Sequence, residues 1–277
     1  MSTITPRPVP DCFTTLKDRL SAQRVLLDLK KVLNLSHDVS PELANTILDY
    51  AHYWPKVASN GPGTVVSACK EDELNSAEVL LLTPTMEELL GPGDFKIRAV
   101  RFKLESHDQG WATFGDSPSR YFPSWTWFEA VIVRDPRYSI SSPETDAFVK
   151  EALAKSRRGR EAKSSVTTVR NPHAAAGLGE DTWDIQRNVR ASEVFVSHEV
   201  RFKEDSEDVA SGKIPGRVGS DAMTGAGSGD GFIGALEKGD RIAVIARATQ
   251  DYWENHVRKI ELEVDSDECD VTRSGWH

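Results

Sequence analysis

Apolar and polar positions follow two different rhythms along this chain. Up to about residue 55 they fall at helical spacing, and beyond Glu71 they alternate with period two in short segments separated by Gly, Pro, Asp and Ser. In the first part, LKDRLSAQRVLLDLKKVLNL at 16–35 sets Val25, Leu29, Val32 and Leu33 near one side with basic residues between them. A second helix has a clear start. Ser40 serves as N-cap, Pro41 takes the first helical position and Glu42 the first turn, and Leu43, Ile47, Leu48 and Ala51 then share a face. It is expected to stop before Pro55, because proline disfavours helix in the residue ahead of it.

The later segments read as strands: Val79–Leu82, Ile97–Ser106, Trp125–Val133, Trp183–Val189, Val194–Phe202, 241–247 after a Gly-Asp turn, and Val257–Val264. In Ile97–Ser106, Val100, Phe102 and Leu104 oppose Arg101, Lys103 and Glu105, the mark of a half-buried strand. Trp125–Val133 is apolar on both parities, so it is expected to be central and covered on both sides. Strands without alternating helices imply a mainly β protein, an antiparallel β-sandwich of jelly-roll type with an N-terminal helical segment. The expected organisation is a disordered N-terminus at 1–13, a helical segment at 14–70 and a β-sandwich domain at 71–277. Two loop insertions interrupt that domain. Residues 134–182 include a short helix at PETDAFVKEALAK, and 204–231 are rich in Gly, Ser and Asp, the composition of a mobile surface loop.

Composition narrows the function classes. The chain has 277 residues, 39% hydrophobic and 28% charged, and its net charge of −9 argues against a general binder of nucleic-acid backbones. No apolar run reaches the roughly 20 residues of a membrane-spanning helix, and MSTITPRPVPDC lacks the apolar stretch of a secretory signal. The expected setting is the cytoplasm or nucleus, with no membrane partner. Cys12, Cys69 and Cys269 are widely spaced and read as free thiols. No ligand spacing points to a metal, and no cofactor is expected. GAGSGDG at 225–231 lacks the lysine of a phosphate loop, KSRRGREAK suits a solvated loop, and the closing DSDECD does not have EF-hand spacing.

The candidate chemistry centres on the turn HDQGW. His107 and Asp108 have the makings of a base with its orienting carboxylate, Gln109 of a hydrogen-bonding group for a hydroxyl or amide, and Trp111 of a stacking surface. The structural alternative gives Asp108 and Gln109 the task of closing the turn, Gly110 a positive φ and Trp111 a place capping the core. Trp125, Trp127 and Glu129 share one parity of a strand. They suit either a sugar-stacking face or the space between two sheets, where Glu129 would need a partner such as Arg101 or Arg187. His198 shares its parity with Val194, Val196, Val200 and Phe202, as a core histidine or as a second catalytic one beside His107 and Glu129. Trp253 joins the set of candidate ligand contacts.

SPELANTILDYAHYWP, IRAVRFKLESHDQGW with SWTWFEA, IQRNVRAS with SHEVRF, and GDRIAVIARATQDYWENHVRKIEL together resemble a family of largely uncharacterised fungal proteins. The resemblance covers Ser40 to Val264. It implies a fungal protein of the cytosol or nucleus whose C-terminal β-rich module occurs alone or beside interaction domains, and it brings no catalytic residues. SPELANTILDYA is also similar to the opening helix of an F-box, which would imply a ubiquitin-ligase adaptor. After Trp54 and Pro55, however, the chain continues as VASNGPGTVVSA, without the further helices of that domain.

Three functions therefore stand as expectations. The first is a non-enzymatic recognition module that binds a glycan or protein ligand through loops at one end of the sandwich, using His107, Asp108, Gln109, Trp111, Trp125, Glu129 and Trp253. The second is a cofactor-independent enzyme acting on a small molecule, with His107 or His198 as base and Asp108 or Glu129 as its partner. The third is the F-box-like adaptor.

Overall fold

The computed structural model describes residues 56–68, 75–91, 95–112, 117, 119–158, 165–174, 180–204 and 220–267. The two N-terminal helices, the tail expected at 1–13 and the F-box-like stretch lie outside them. The described strands are β1 (Lys56–Gly61), β2 (Thr64–Ser67), β3 (Asn75–Leu82), β4 (Lys96–His107), β5 (Thr126–Val133), β6 (Trp183–Arg187), β7 (Val196–Lys203), β8 (Arg241–Thr249) and β9 (Glu254–Asp267). The helices are α1 (Met86–Leu90), α2 (Pro143–Arg157) and α3 (Phe232–Ala235), with a 3-10 turn at Pro136–Tyr138. The protein is thus mainly β, in two antiparallel sheets. The first runs β1-β9-β4-β7 with β2 also on β9, and the second runs β3-β8-β5-β6.

One apolar cluster draws on both sheets: Val100, Phe102 and Leu104 of β4 and Ile260, Leu262 and Val264 of β9 join Phe128, Ala130 and Ile132 of β5 and Val244 and Ala246 of β8. Each fully buried Val, Leu, Ile or Phe side chain contributes about 2 kcal/mol. The second sheet is apolar on its other face too. There Ala77, Val79, Val131, Val133, Ala243 and Ile245 pack beneath Val149, Ala152 and Leu153 of α2, which is why β5 carries apolar residues on both parities. Helix α2 begins where its sequence directs, with Ser142 accepting from the Thr145 N–H, Thr145 Oγ1 accepting from the Ser142 N–H, and Pro143 following the cap.

Two expectations change. The helical segment was expected to reach residue 70, but 56–61 and 64–67 are strands. VASNGPGTVVS is rich in β-branched residues, and its Gly61-Pro62-Gly63 break lets β1 and β2 lie one after the other along β9. Their registers run Lys56↔Asp265 to Gly61↔Ile260, then Thr64↔Val257 to Ser67↔Glu254. The second change concerns the insertion at 204–231. Its residues 220–231 run along the exposed edge of β6, where the Arg187 N–H donates to Gly225 O at 2.9 Å and the Gly227 N–H to Ile185 O at 2.9 Å. Backbone groups on that edge need partners, and the insertion supplies them.

Candidate functional site

Antiparallel pairing brings the end of β4, the start of β5, the end of β6, the start of β7 and the β8–β9 turn to one end of the sheets. Beneath their loops lies a buried polar network. Asn188 Nδ2 donates to Thr126 Oγ1 and Asn255 Oδ1, both at 2.9 Å, and Asn188 Oδ1 accepts from Ser106 Oγ at 2.7 Å. Asn255 Nδ2 in turn reaches Trp127 O at 3.1 Å and Arg247 O at 3.2 Å. All four side chains are buried, so each bond replaces water that cannot enter.

The HDQGW turn stands on this network. Asp108 is fully buried, and its carboxylate accepts from the backbone N–H groups of Gly110 at 2.9 Å, Ala191 at 2.7 Å and Ser192 at 2.9 Å. Burial pushes its pKa above the ordinary carboxylate value, against the pull of those three donors and of His107. Gly110 takes φ +89°, where a Cβ would also strike the Glu193 side chain. Gln109 Nε2 donates to Trp111 O at 2.7 Å, and its Oε1 accepts from the Glu254 N–H at 3.4 Å. Trp111 does not cap the core: it is 46% exposed. His107 hydrogen-bonds the Asp108 carbonyl through Nδ1, stacks on His256 with ring centroids 4.5 Å apart and meets Phe195 edge-on at 4.3 Å.

Trp127 and Glu129 occupy the outer face of the second sheet, whereas their neighbours Phe128 and Ala130 point into the cluster shared by both sheets. The Trp127 indole lies between two guanidiniums, Arg187 and Arg247, each 5.3 Å from its centroid. Glu129 is buried and pairs with Arg247 at 2.9 Å and Arg157 at 3.5 Å, and it accepts from Trp127 Nε1 at 3.4 Å. Its partners are therefore Arg247 and Arg157. Arg101 lies on the first sheet instead, paired with Glu199 and Glu263, and Arg187 stacks on Phe122 and Trp127 while donating to Ser124 O. Beside this group, burial and the Glu129 charge raise the pKa of Asp184, with Arg187 opposing. Trp125 is half-buried, and its buried Nε1 has no hydrogen-bond partner among the described residues.

His107, His198 and Glu129 do not converge. His107 lies on the outer face of the first sheet beside His256. His198 is opposite Leu104, which belongs to the inter-sheet cluster, and so faces inward against Tyr121 with ring centroids 6.0 Å apart. Glu129 lies on the outer face of the other sheet. The paired-histidine arrangement is therefore absent, because strand pairing puts the two imidazoles on opposite faces of one sheet. Trp253 is buried, and Asp108 and Glu129 are buried with their oxygens engaged, so these three residues position the loops and strands without presenting a surface to a ligand. Among the described residues no group of three or more His, Cys, Asp or Glu side chains is placed to hold a metal, and no helix is long and apolar enough to cross a membrane.

Four large apolar side chains are exposed at this end, Trp111 at 46%, Phe122 at 48%, Tyr252 at 52% and Val194 at 69%, beside exposed Arg120, Glu193, Gln250 and Asp251. These residues come from three loops: Trp111 and Phe122 from the β4–β5 connection, Val194 from the β6–β7 connection and Tyr252 from the β8–β9 turn. Phe122 and Tyr252 escaped the sequence reading because an apolar residue in a loop carries no periodicity, whereas Val194, expected on the inward parity of a strand, precedes the start of β7 at Val196 and is exposed. The Asn188 network escaped it because Asn in a loop reads as solvated. Compared with known proteins, the chain matches no family model and no curated protein.

Proposed function

We propose that this protein is a non-enzymatic recognition module of the cytoplasm or nucleus, in which the two sheets pack as a β-sandwich and the loops at one end hold a protein ligand. The observation that carries this reading is the set of four exposed apolar side chains, Trp111, Phe122, Val194 and Tyr252, on loops anchored from below by buried hydrogen bonds. Exposed aromatic residues on a rigid base lose little conformational entropy on binding and are the side chains that dominate protein interfaces. A glycan is the weaker candidate. The groups that would read its hydroxyls, Asp108, Gln109 and Glu129, are committed to the chain's own bonds.

A photo-crosslinking residue placed at position 111 tests the reading against one at Ile140, which is 75% exposed and follows the opposite end of β5. A discrete adduct at 111, absent at 140 and lost when Tyr252→Ala is added, is expected. Equal adducts at both positions, or an adduct at 111 indifferent to Tyr252→Ala, would sink it.

A further inference from the structure

Three arginines gather over the outer face of the second sheet, and they differ in what neutralises them. Arg247 pairs with Glu129 at 2.9 Å, and Arg157 pairs with Asp181 at 2.7 Å and Glu129 at 3.5 Å. Arg187 has no carboxylate of the described residues within ion-pair distance. The acid that acts on it from farther off is Asp184, whose own pKa is raised by burial and by the Glu129 charge. Strand pairing puts Arg187 opposite Trp127. Its guanidinium lies 5.3 Å from that indole and 5.1 Å from the ring of Phe122, one of the four exposed apolar residues of the loop end. Part of the guanidinium is already committed, since Nη1 donates to Ser124 O at 2.9 Å. Nε is buried without a hydrogen-bond partner among the described residues, whereas Nη2 has none there either and is not sealed from water. Burial lowers the Arg187 pKa, with Asp184 opposing, because a guanidinium that has lost water and gained no close anion holds its charge at a cost.

We propose that Arg187 receives the carboxylate of an acidic side chain, aspartate or glutamate, presented by the protein ligand of the loop end. This rests on the recognition reading given above and names the chemistry the partner must carry. One carboxylate oxygen accepts from Nη2, and the methylene groups behind it lie against Phe122, whose ring the guanidinium already faces. Such a charge-assisted bond is stronger than one between neutral groups, and a planar guanidinium held against rings loses little freedom in forming it. A carboxylate suits the site better than a phosphate dianion. One guanidinium offers a single charge, and Glu129 and Asp184 lie on the same face, where a second negative charge on the ligand is repelled. The apolar residues of the loop end supply contact area, and Arg187 supplies the selection by charge.

The test titrates three small probes into the full chain: a blocked phenylalanyl-glutamate amide, its glutamine counterpart, and N-acetylphenylalanine, whose only carboxylate is terminal. The readouts are the Arg187 Nε–H and Trp127 indole N–H resonances. The glutamate probe is expected to shift both, with the glutamine probe about tenfold weaker, and Arg187→Gln is expected to remove that difference. The melting temperature of Arg187→Gln is read alongside; if it falls, Phe122→Ala, at an exposed position, serves instead and is expected to weaken the glutamate probe about threefold. No shift by the glutamate probe at millimolar concentration, equal shifts by the glutamate and glutamine probes, or a glutamate preference that survives in folded Arg187→Gln overturns the proposal, as does Phe122→Ala without effect where it stands in. Shifts by N-acetylphenylalanine alone assign the site to a chain terminus and overturn the acidic side chain. Because the probes need no partner, this result is read apart from the crosslink at position 111: a discrete adduct there with no glutamate preference at Arg187 removes the acidic contact and leaves the recognition surface standing.

Discussion

The two ends of the sheets are closed by different chemistry. At the end where β4 and β8 begin the seals are ion pairs. Arg241 is fully buried and donates to Thr83 O and Asp146 Oδ1, both at 2.7 Å, while Arg134 grips Asp240. At the loop end the seal is a neutral network of Ser106, Thr126, Asn188 and Asn255, and the one acid beside it, Asp108, is bonded to backbone N–H groups and not to a cationic side chain. The difference teaches where tolerance lies. The charged seal fixes α2 and the 3-10 turn to the sheets, so disturbing it loosens packed elements. The neutral seal lies below the exposed loop tips, so those tips are free to change without touching what holds the end together.

The largest expected effect breaks the charged seal. Arg241→Ala leaves Asp146 and the Thr83 carbonyl without their guanidinium and is expected to cost about 3 kcal/mol in urea unfolding. The figure sits at the low end for such pairs, because Asp146 keeps some contact with water. A loss below about 1 kcal/mol would show that helix packing, and not the ion pair, closes that end. Breaking the neutral seal with Asn188→Leu leaves Thr126, Asn255 and Ser106 short of partners and is expected to cost about 2 kcal/mol. Because no charge is involved, that loss should be the same at pH 8 and pH 5; a strong pH dependence would mean the network is coupled to a titrating group.

A smaller effect comes from His198. Burial lowers its pKa in the folded chain, and its buried Nε2 has no hydrogen-bond partner among the described residues. Below its ordinary pKa the unfolded chain takes up a proton that the folded chain resists, so its contribution to stability falls as pH drops from 7 to 5. His198→Phe removes that dependence, and the stability of the variant relative to the parent should rise over this range. An unchanged gap would show that His198 ionises freely in the fold. Smallest of all, Trp111→Ala should change the unfolding free energy by less than about 0.5 kcal/mol. A larger loss would make Trp111 part of the seal and erase the distinction between tip and base.

Strand positions were legible from the sequence wherever one face meets water. The alternation in Ile97–Ser106 marks β4 almost to its ends at Lys96 and His107, and Ser142-Pro143 marks the start of α2. Trp127 and Glu129 were harder. Their shared parity was visible, but which face that parity occupies depends on α2 covering the same sheet. The aromatic pair therefore suggested space between the sheets, whereas Trp127 lies outside, between two arginines distant in sequence. β1 and β2 were hidden for another reason: they are short, and their partner is some 200 residues away, beyond the reach of local pattern. Of the HDQGW turn, the positive φ at Gly110 was readable from residue type. The burial of Asp108 was not, because its three donors come from its own turn and from the loop before β7.

Strand β9 pairs with β1, β2 and β4, and it follows all three in the chain. During synthesis these partners emerge long before the strand that joins them. The second sheet needs only residues up to Thr249, so it is complete first. Until residues 254–267 arrive, the inner side of β4 can be covered while its edge stays open, and an open edge is where chains pair wrongly with one another. The charges spaced along β4, Arg98, Arg101, Lys103 and Glu105, stand on that waiting edge and discourage a stray strand from pairing first.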